Sequence, residues 1–356
     1  MKLIVDSHLD LGMNAVMRNR ELTRTVEETR GLEAGMKQKG RGRGTVALPD
    51  MRQGGVGLCF ATTVARTSKN WREDDGLDAS SQDIAFARAG GQLAYYRQLE
   101  RHDELRQIRT VTELEAQVKE WEAGGDGTPV GYVLAMEGAD PIVDPSLVEW
   151  WWEEGLRMVS LSHYGVSCYA HGTGTEGGLL PRAGELLDEM QAVGMAVDLT
   201  HLADAAFWEV LDRFEGRVLA SHQCCRELVP GGRQMSDEQL RAIIERDGVI
   251  GTALDSWMLY PGWIIGETDP EVVGLEDVAN HIEHVCELAG DCRHAALGTD
   301  LDGGFGKEQT PRDLETIADL RIVGEILSGR GYADEDVEGI LRDNWLKFLR
   351  EMLPVE

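Results

Sequence analysis

"VDSHLD" (residues 5–10) carries a short apolar run straight into His8 and Asp10. Side chains alternate along an extended chain, so His8 and Asp10 leave the strand on the same face. A buried strand that merely turned at the surface would end in turn residues; this one ends in two potential metal ligands. The same plan recurs along the chain. Apolar, β-branched runs at LIVDSH (3–8), VGLCFATT (56–63), YVLAMEG (132–138), RMVSLSH (157–163), MAVDLTH (195–201), RVLASH (217–222), GVIGTAL (248–254) and HAALGTD (294–300) read as eight strands.

Helical patterns lie between most of these runs, several with a capping residue such as Ser236 or Asp334 at the start and Gly at the end. Eight strands alternating with helices predict a (β/α)8 TIM barrel, here one domain over residues 1–356. The chain exceeds the length a bare barrel needs, about 250 residues. The excess falls in the 12–55 connection, a helical insertion at 78–122, a Trp-containing loop at 255–273 and extra C-terminal helices. The alternative, an open doubly wound sheet, lacks its GxGxxG loop after the first strand.

A formal net charge of −28 would repel a phosphate backbone, so nucleic acid is not expected as a partner. No run approaches the ~20 apolar residues of a membrane span, and no secretory leader is expected before Val5. The six cysteines form no CxxC pair and read as buried free thiols, so a cytoplasmic protein is expected.

His8, Glu137, His163, His201, His222 and Asp300 each fall at the C-terminal end of a predicted strand, the catalytic rim of a barrel. Any one could be a cap or a satisfied core residue; six at one rim point to a site. His102, His281, His284 and His294 read as structural, and His171 lies in a loop above the rim. Imidazole and carboxylate without thiolate suit Zn²⁺ or another borderline divalent ion. Two ions about 3.5–4 Å apart need a bridge. None of the seven lysines ends a predicted strand, which leaves Glu137 as the natural bridging ligand. Water held there would become hydroxide near neutral pH and attack a carbonyl carbon.

DSHLD (6–10), LPDMRQGGVG (48–57), AMEGAD (135–140), LSH (161–163), VDLTH (197–201), SH (221–222) with RQMSD (233–237), LGTDLDG (297–303) and DNWLKFL (343–349) together resemble the membrane (renal) dipeptidase family of zinc peptidases, in order and spacing over nearly the whole chain. The resemblance implies a homodimeric, binuclear zinc barrel that hydrolyses small dipeptides. It implies that His8 and Asp10 bind one ion, Glu137 bridges, and His201 and His222 bind the second. Asp300 would hold the water and exchange its proton, His163 would stabilise the oxyanion, and Arg233 would grip the substrate's terminal carboxylate.

This sequence departs from the family where loops shape the pocket. Tyr164-Gly165-Val166-Ser167 replaces an Asn-rich stretch, CYAHGTGTEGG (168–178) follows it, and loop 255–273 offers Trp257, Tyr260 and Trp263, with Tyr260 expected to touch substrate. No counterpart of the mammalian lipid anchor is expected. Two other readings compete: a binuclear hydrolase of another small amide, lactone or phosphoester, and a non-catalytic binding protein on an inherited barrel.

Overall fold

The structure, a computed structural model, describes residues 2–68 and 77–356. Eight parallel strands follow one another around a barrel: β1 (Ile4–Leu9), β2 (Val56–Val64), β3 (Val130–Glu137), β4 (Leu156–Ser160), β5 (Ala196–Asp198), β6 (Val218–Gln223), β7 (Ile250–Thr252) and β8 (Ala295–Leu297). Each pairs with the next in chain order. All their residues are buried, as parallel strands are when helices cover one face and barrel side chains fill the other.

Side chains complete the seam between β8 and β1. The Asp6 carboxylate accepts the Thr299 amide at 2.9 Å and its hydroxyl at 2.6 Å. The Asp300 amide donates to the His8 carbonyl at 3.2 Å. Backbones crowd inside the barrel, where a Cβ on Gly298 would lie 1.7 Å from the Ser221 carbonyl oxygen. Beneath, Trp345 of the C-terminal helix Asn344–Met352 donates its indole N–H to the Leu297 carbonyl at 2.9 Å and packs edge-on against Phe60.

The insertion between β2 and β3 holds helices Gln82–Arg101 and Val111–Gly124, and also an unexpected strand, Leu105–Gln107, parallel to β3. The reason is geometric: β4 pairs with β3 only from Leu134 onward, so the start of β3 has a free edge. Ser236 caps helix Asp237–Glu245 with a full capping box, as expected. Asp334 is not a cap. Ala333 holds that position, and Asp334 is the first helical residue, where its charge suits the helix dipole.

The long connection after β1 is fixed by buried charge. Arg20 forks onto Glu33 at 2.8 and 3.0 Å and also reaches Asn14 and Asp302. Asn14 donates to the backbone oxygens of both Asp10 and Asp302, at 3.0 Å each. This ties the turn after β1 to the turn after β8. Among the described residues, no helix is long and apolar enough to cross a membrane.

Candidate metal centre

Six side chains converge at the C-terminal rim. Glu137, the last residue of β3, places Oε1 3.5 Å from His8 Nε2, 3.2 Å from His201 Nε2 and 3.3 Å from His222 Nε2. Asp10 and Asp300 each approach His8 Nε2 to 3.9 Å. The potential ligand atoms fall into overlapping groups: His8, Asp10 and Glu137; Glu137, His201 and His222; and His8, His222 and Asp300. Glu137 is common to the first two. His201 and Asp300 both have positive φ, +69° and +57°, a costly backbone state outside glycine. In both cases the strand has ended three residues earlier, and the left-handed turn aims the side chain back over the barrel axis.

The electrostatics are those of a site short of positive charge. Burial raises the Asp10 carboxyl to about 6, although the Thr62 hydroxyl donates to it. Burial and the nearby Asp10 raise Glu137 and Asp300 well above the usual carboxylate range. Burial and the Arg233 charge depress His8 to about 3, and His201 and His222 also lie well below their ordinary value, chiefly through burial. Three carboxylates and three neutral imidazoles thus crowd together, with the Arg233 guanidinium nearby. His8 Nε2 is buried with no hydrogen-bond partner. A divalent ion fits this donor set: it takes the orphaned lone pair and relieves the crowded carboxylates.

The other ring nitrogens are held from behind. His201 Nδ1 meets Thr173 Oγ1 at 2.9 Å. His8 and His222 Nδ1 both meet Ser221 Oγ, at 3.2 and 2.9 Å. His163 faces Glu137 Oε2 through Nε2 at 3.7 Å, while Arg66 reaches its Nδ1 at 3.1 Å. A guanidinium can only donate, so Nδ1 is the acceptor and Nε2 carries the hydrogen toward the cavity.

That cavity, about 250 Å³, is lined by Asp10, Glu137, His163, Arg233, Trp257 and Asp300 among others. Arg233 is buried, not the surface cation its helix-flanking position allows. Its Nη1 donates to Gln223 at 2.8 Å and its Nη2 to the His222 carbonyl at 3.0 Å. Among the described residues no carboxylate forms an ion pair with it.

Tyr260 is placed differently from expectation. It is 39% exposed and does not line the cavity. Asp255 caps the four-residue helix Ser256–Leu259, which turns Trp257 and Met258 inward and ends before Tyr260. The Trp257 indole donates to Asp255 at 2.6 Å. Ser221, Thr173 and Arg66 are contributors that sequence reading did not single out. The hydroxyl preceding His222 was visible as a residue, but its two ring partners come from the fold.

Residues 1–355 match the sequence profile of the membrane dipeptidase family, Peptidase family M19. The chain belongs to this family. "Dipeptidase aclJ" of Aspergillus oryzae is 30% identical over 228 residues, 63% of this chain and 52% of that one. The chain spans about half the length of this and two further curated relatives. Two solved structures share the fold. One is described as a dipeptidase AC of family M19, with TM-score 0.79, 21% identity and 99% of both chains covered. The other is a metallopeptidase from Rhodobacter sphaeroides bound to a phosphinate mimic of the dipeptide L-Ala-D-Ala, with TM-score 0.78, 21% identity, and 98% of this chain and 99% of that one covered.

Proposed function

We propose that this member of the membrane dipeptidase family is a zinc-dependent dipeptidase that hydrolyses the single amide bond of small dipeptides. The observation that carries the reading is Arg233: a buried guanidinium without an acidic partner among the described residues, in the same small cavity as the ligand cluster. A substrate carboxylate supplies the missing partner. Family membership and the dipeptide mimic bound by the Rhodobacter sphaeroides protein support the same substrate class.

His8 and Asp10 would hold one ion, His201 and His222 the other, with Glu137 between them and Asp300 beside His8. Two bound zinc ions would polarise the scissile carbonyl and make a water acidic enough to ionise near neutral pH. The chain's own residues do the rest. Arg233 binds the terminal carboxylate and sets the peptide's register. His163, held as the Nε2–H form by Arg66, donates to the carbonyl oxygen as negative charge builds there. Asp300 accepts the attacking water's proton and returns it to the leaving amine as the C–N bond breaks. Trp257 bounds the pocket in place of Tyr260. Four buried free thiols suit a cytoplasmic enzyme, and a homodimer follows from the family resemblance.

The test is a dipeptide library assayed with zinc-loaded, chelated and zinc-restored protein. Zinc-dependent cleavage of dipeptides, lost when the C-terminus is amidated, is the expected result. Fast hydrolysis of the amidated set, or of lactones or phosphoesters instead, would move the assignment to another binuclear hydrolase. Tight dipeptide binding without turnover would favour a binding protein.

A further inference from the structure

We propose that Ser221 is a positioning residue shared by both halves of the metal centre, its single hydroxyl fixing the tautomer of one histidine ligand on each side. The inference rests on the binuclear reading above, but not on the identity of the substrate. Ser221 Oγ lies 3.2 Å from His8 Nδ1 and 2.9 Å from His222 Nδ1, and the two rings sit with centroids 3.7 Å apart. His8 falls in a potential ligand group with Asp10 and Glu137, His222 in another with Glu137 and His201, and the two share a third with Asp300. Among the described residues no other hydrogen bond joins these two rings from behind: His201 uses a separate hydroxyl, that of Thr173.

The proton bookkeeping closes. A hydroxyl has two lone pairs and one hydrogen. The Asp198 carboxylate accepts the Ser221 amide at 3.0 Å, which puts an acceptor beside residue 221 that can take that hydrogen. Both lone pairs are then free to accept Nδ1–H from His8 and His222. Each ring is left with its lone pair on Nε2, the atom that faces Glu137 Oε1 at 3.5 Å for His8 and 3.3 Å for His222. The arrangement prevents a competing state. Without the hydroxyl, each proton is better placed on Nε2, where Glu137 accepts it and the lone pair needed by an ion turns away. Thr173 works on His201 alone, since its hydroxyl also donates to the His201 carbonyl at 3.3 Å.

Ser221→Ala removes one oxygen and leaves the backbone contacts of residue 221, the amide on Asp198 and the carbonyl accepting Ser7 Oγ at 2.5 Å. Zinc-loaded wild type, Ser221→Ala and Thr173→Val would be dialysed against graded chelator, and retained ions counted by metal analysis. Ser221→Ala should release both ions at chelator activities about 10–100-fold lower than wild type, the span expected for partners behind a ligand. Thr173→Val should weaken one ion and spare the other. Proton spectra of the zinc-loaded proteins give a second readout. His8 and His222 Nδ1–H should exchange slowly with water in wild type and both become fast in Ser221→Ala, whereas Thr173→Val should free only His201. Wild-type retention by Ser221→Ala, or loss of one ion only, would overturn the proposal. If Ser221→Ala does not fold, the wild-type spectrum decides, and a fast-exchanging Nδ1–H on either ring overturns it. A wild type that binds zinc but cleaves no dipeptide would refute the substrate assignment and leave this inference standing.

Discussion

The Asp6 carboxylate and Thr299 join the two ends of the barrel's strand order, with the Thr299 amide at 2.9 Å and its hydroxyl at 2.6 Å. Asp6 also accepts the His8 amide at 3.2 Å. One buried side chain therefore braces both the end of β1, where His8 sits, and the turn that delivers Asp300. Asp6→Ala orphans three buried donors and should destabilise the fold by about 2–4 kcal/mol. Urea unfolding of the zinc-free protein measures it; a change within experimental error would mean that the seam holds without this side chain.

Asp300→Asn keeps the shape of the side chain and removes its capacity to take a proton. Turnover should fall by about two to four orders of magnitude, with substrate affinity largely retained. Single-turnover assays on metal-replete protein check this. Near-normal turnover would assign the proton transfer to another group.

Arg233→Ala should cost about one to two orders of magnitude in kcat/KM for dipeptides with a free C-terminus, the worth of a charge-assisted pair of about 1.5–3 kcal/mol. The same peptides amidated at the C-terminus should lose little further. Equal losses on both sets would make Arg233 a support for Gln223 and the His222 carbonyl rather than a substrate contact.

Removing the ions should weaken the fold as well as abolish hydrolysis. Zinc added back to chelator-stripped protein should raise Tm by several degrees, because each site filled at 1,000 times its Kd contributes about 4.1 kcal/mol. Calorimetry against zinc concentration should saturate at two ions per chain. Saturation at one would require a mononuclear centre.

Glu33 governs an acid limb. Burial alone would raise its pKa, but hydrogen bonds from Arg20, Gly42 and Arg41 hold it at about 2. The folded value is therefore below the unfolded one. Its stabilisation is present above the ordinary carboxylate value of 4.5 and is lost as pH falls toward about 2. Glu33→Gln should be less stable at neutral pH and lose less between pH 4.5 and 2. Parallel slopes for the two proteins would place the acid sensitivity elsewhere.

The strand positions were legible because each apolar run is buried on both faces, and the rim residues because each follows such a run. Where the strands stop was not. MAVDLTH (195–201) and HAALGTD (294–300) read as strands to their last residue, yet β5 ends at Asp198 and β8 at Leu297. Apolar periodicity carries no mark of the left-handed turns at His201 and Asp300. Nor does it show that Leu105–Gln107 finds the free edge of β3, because that edge depends on the register of β4. Trp257 rather than Tyr260 lines the cavity for a similar reason: the orientation of a four-residue helix is set by Asp255, which Gln309 also holds, at 2.7 Å.

Trp345, bonded to the Leu297 carbonyl beneath the barrel, comes from the last helix of the chain. The floor of the barrel is therefore among the last parts to leave the ribosome. Before β8 is made, β1 has one neighbour, β2, and its His8 has no Asp300 beside it. A nascent chain can pair strands as they emerge, but it cannot assemble the full ligand set from any fragment ending before residue 300. The complete ligand set is thereby available only once β8 and Asp300 are in place, and a chain cut short upstream of β8 should not hold the complete centre.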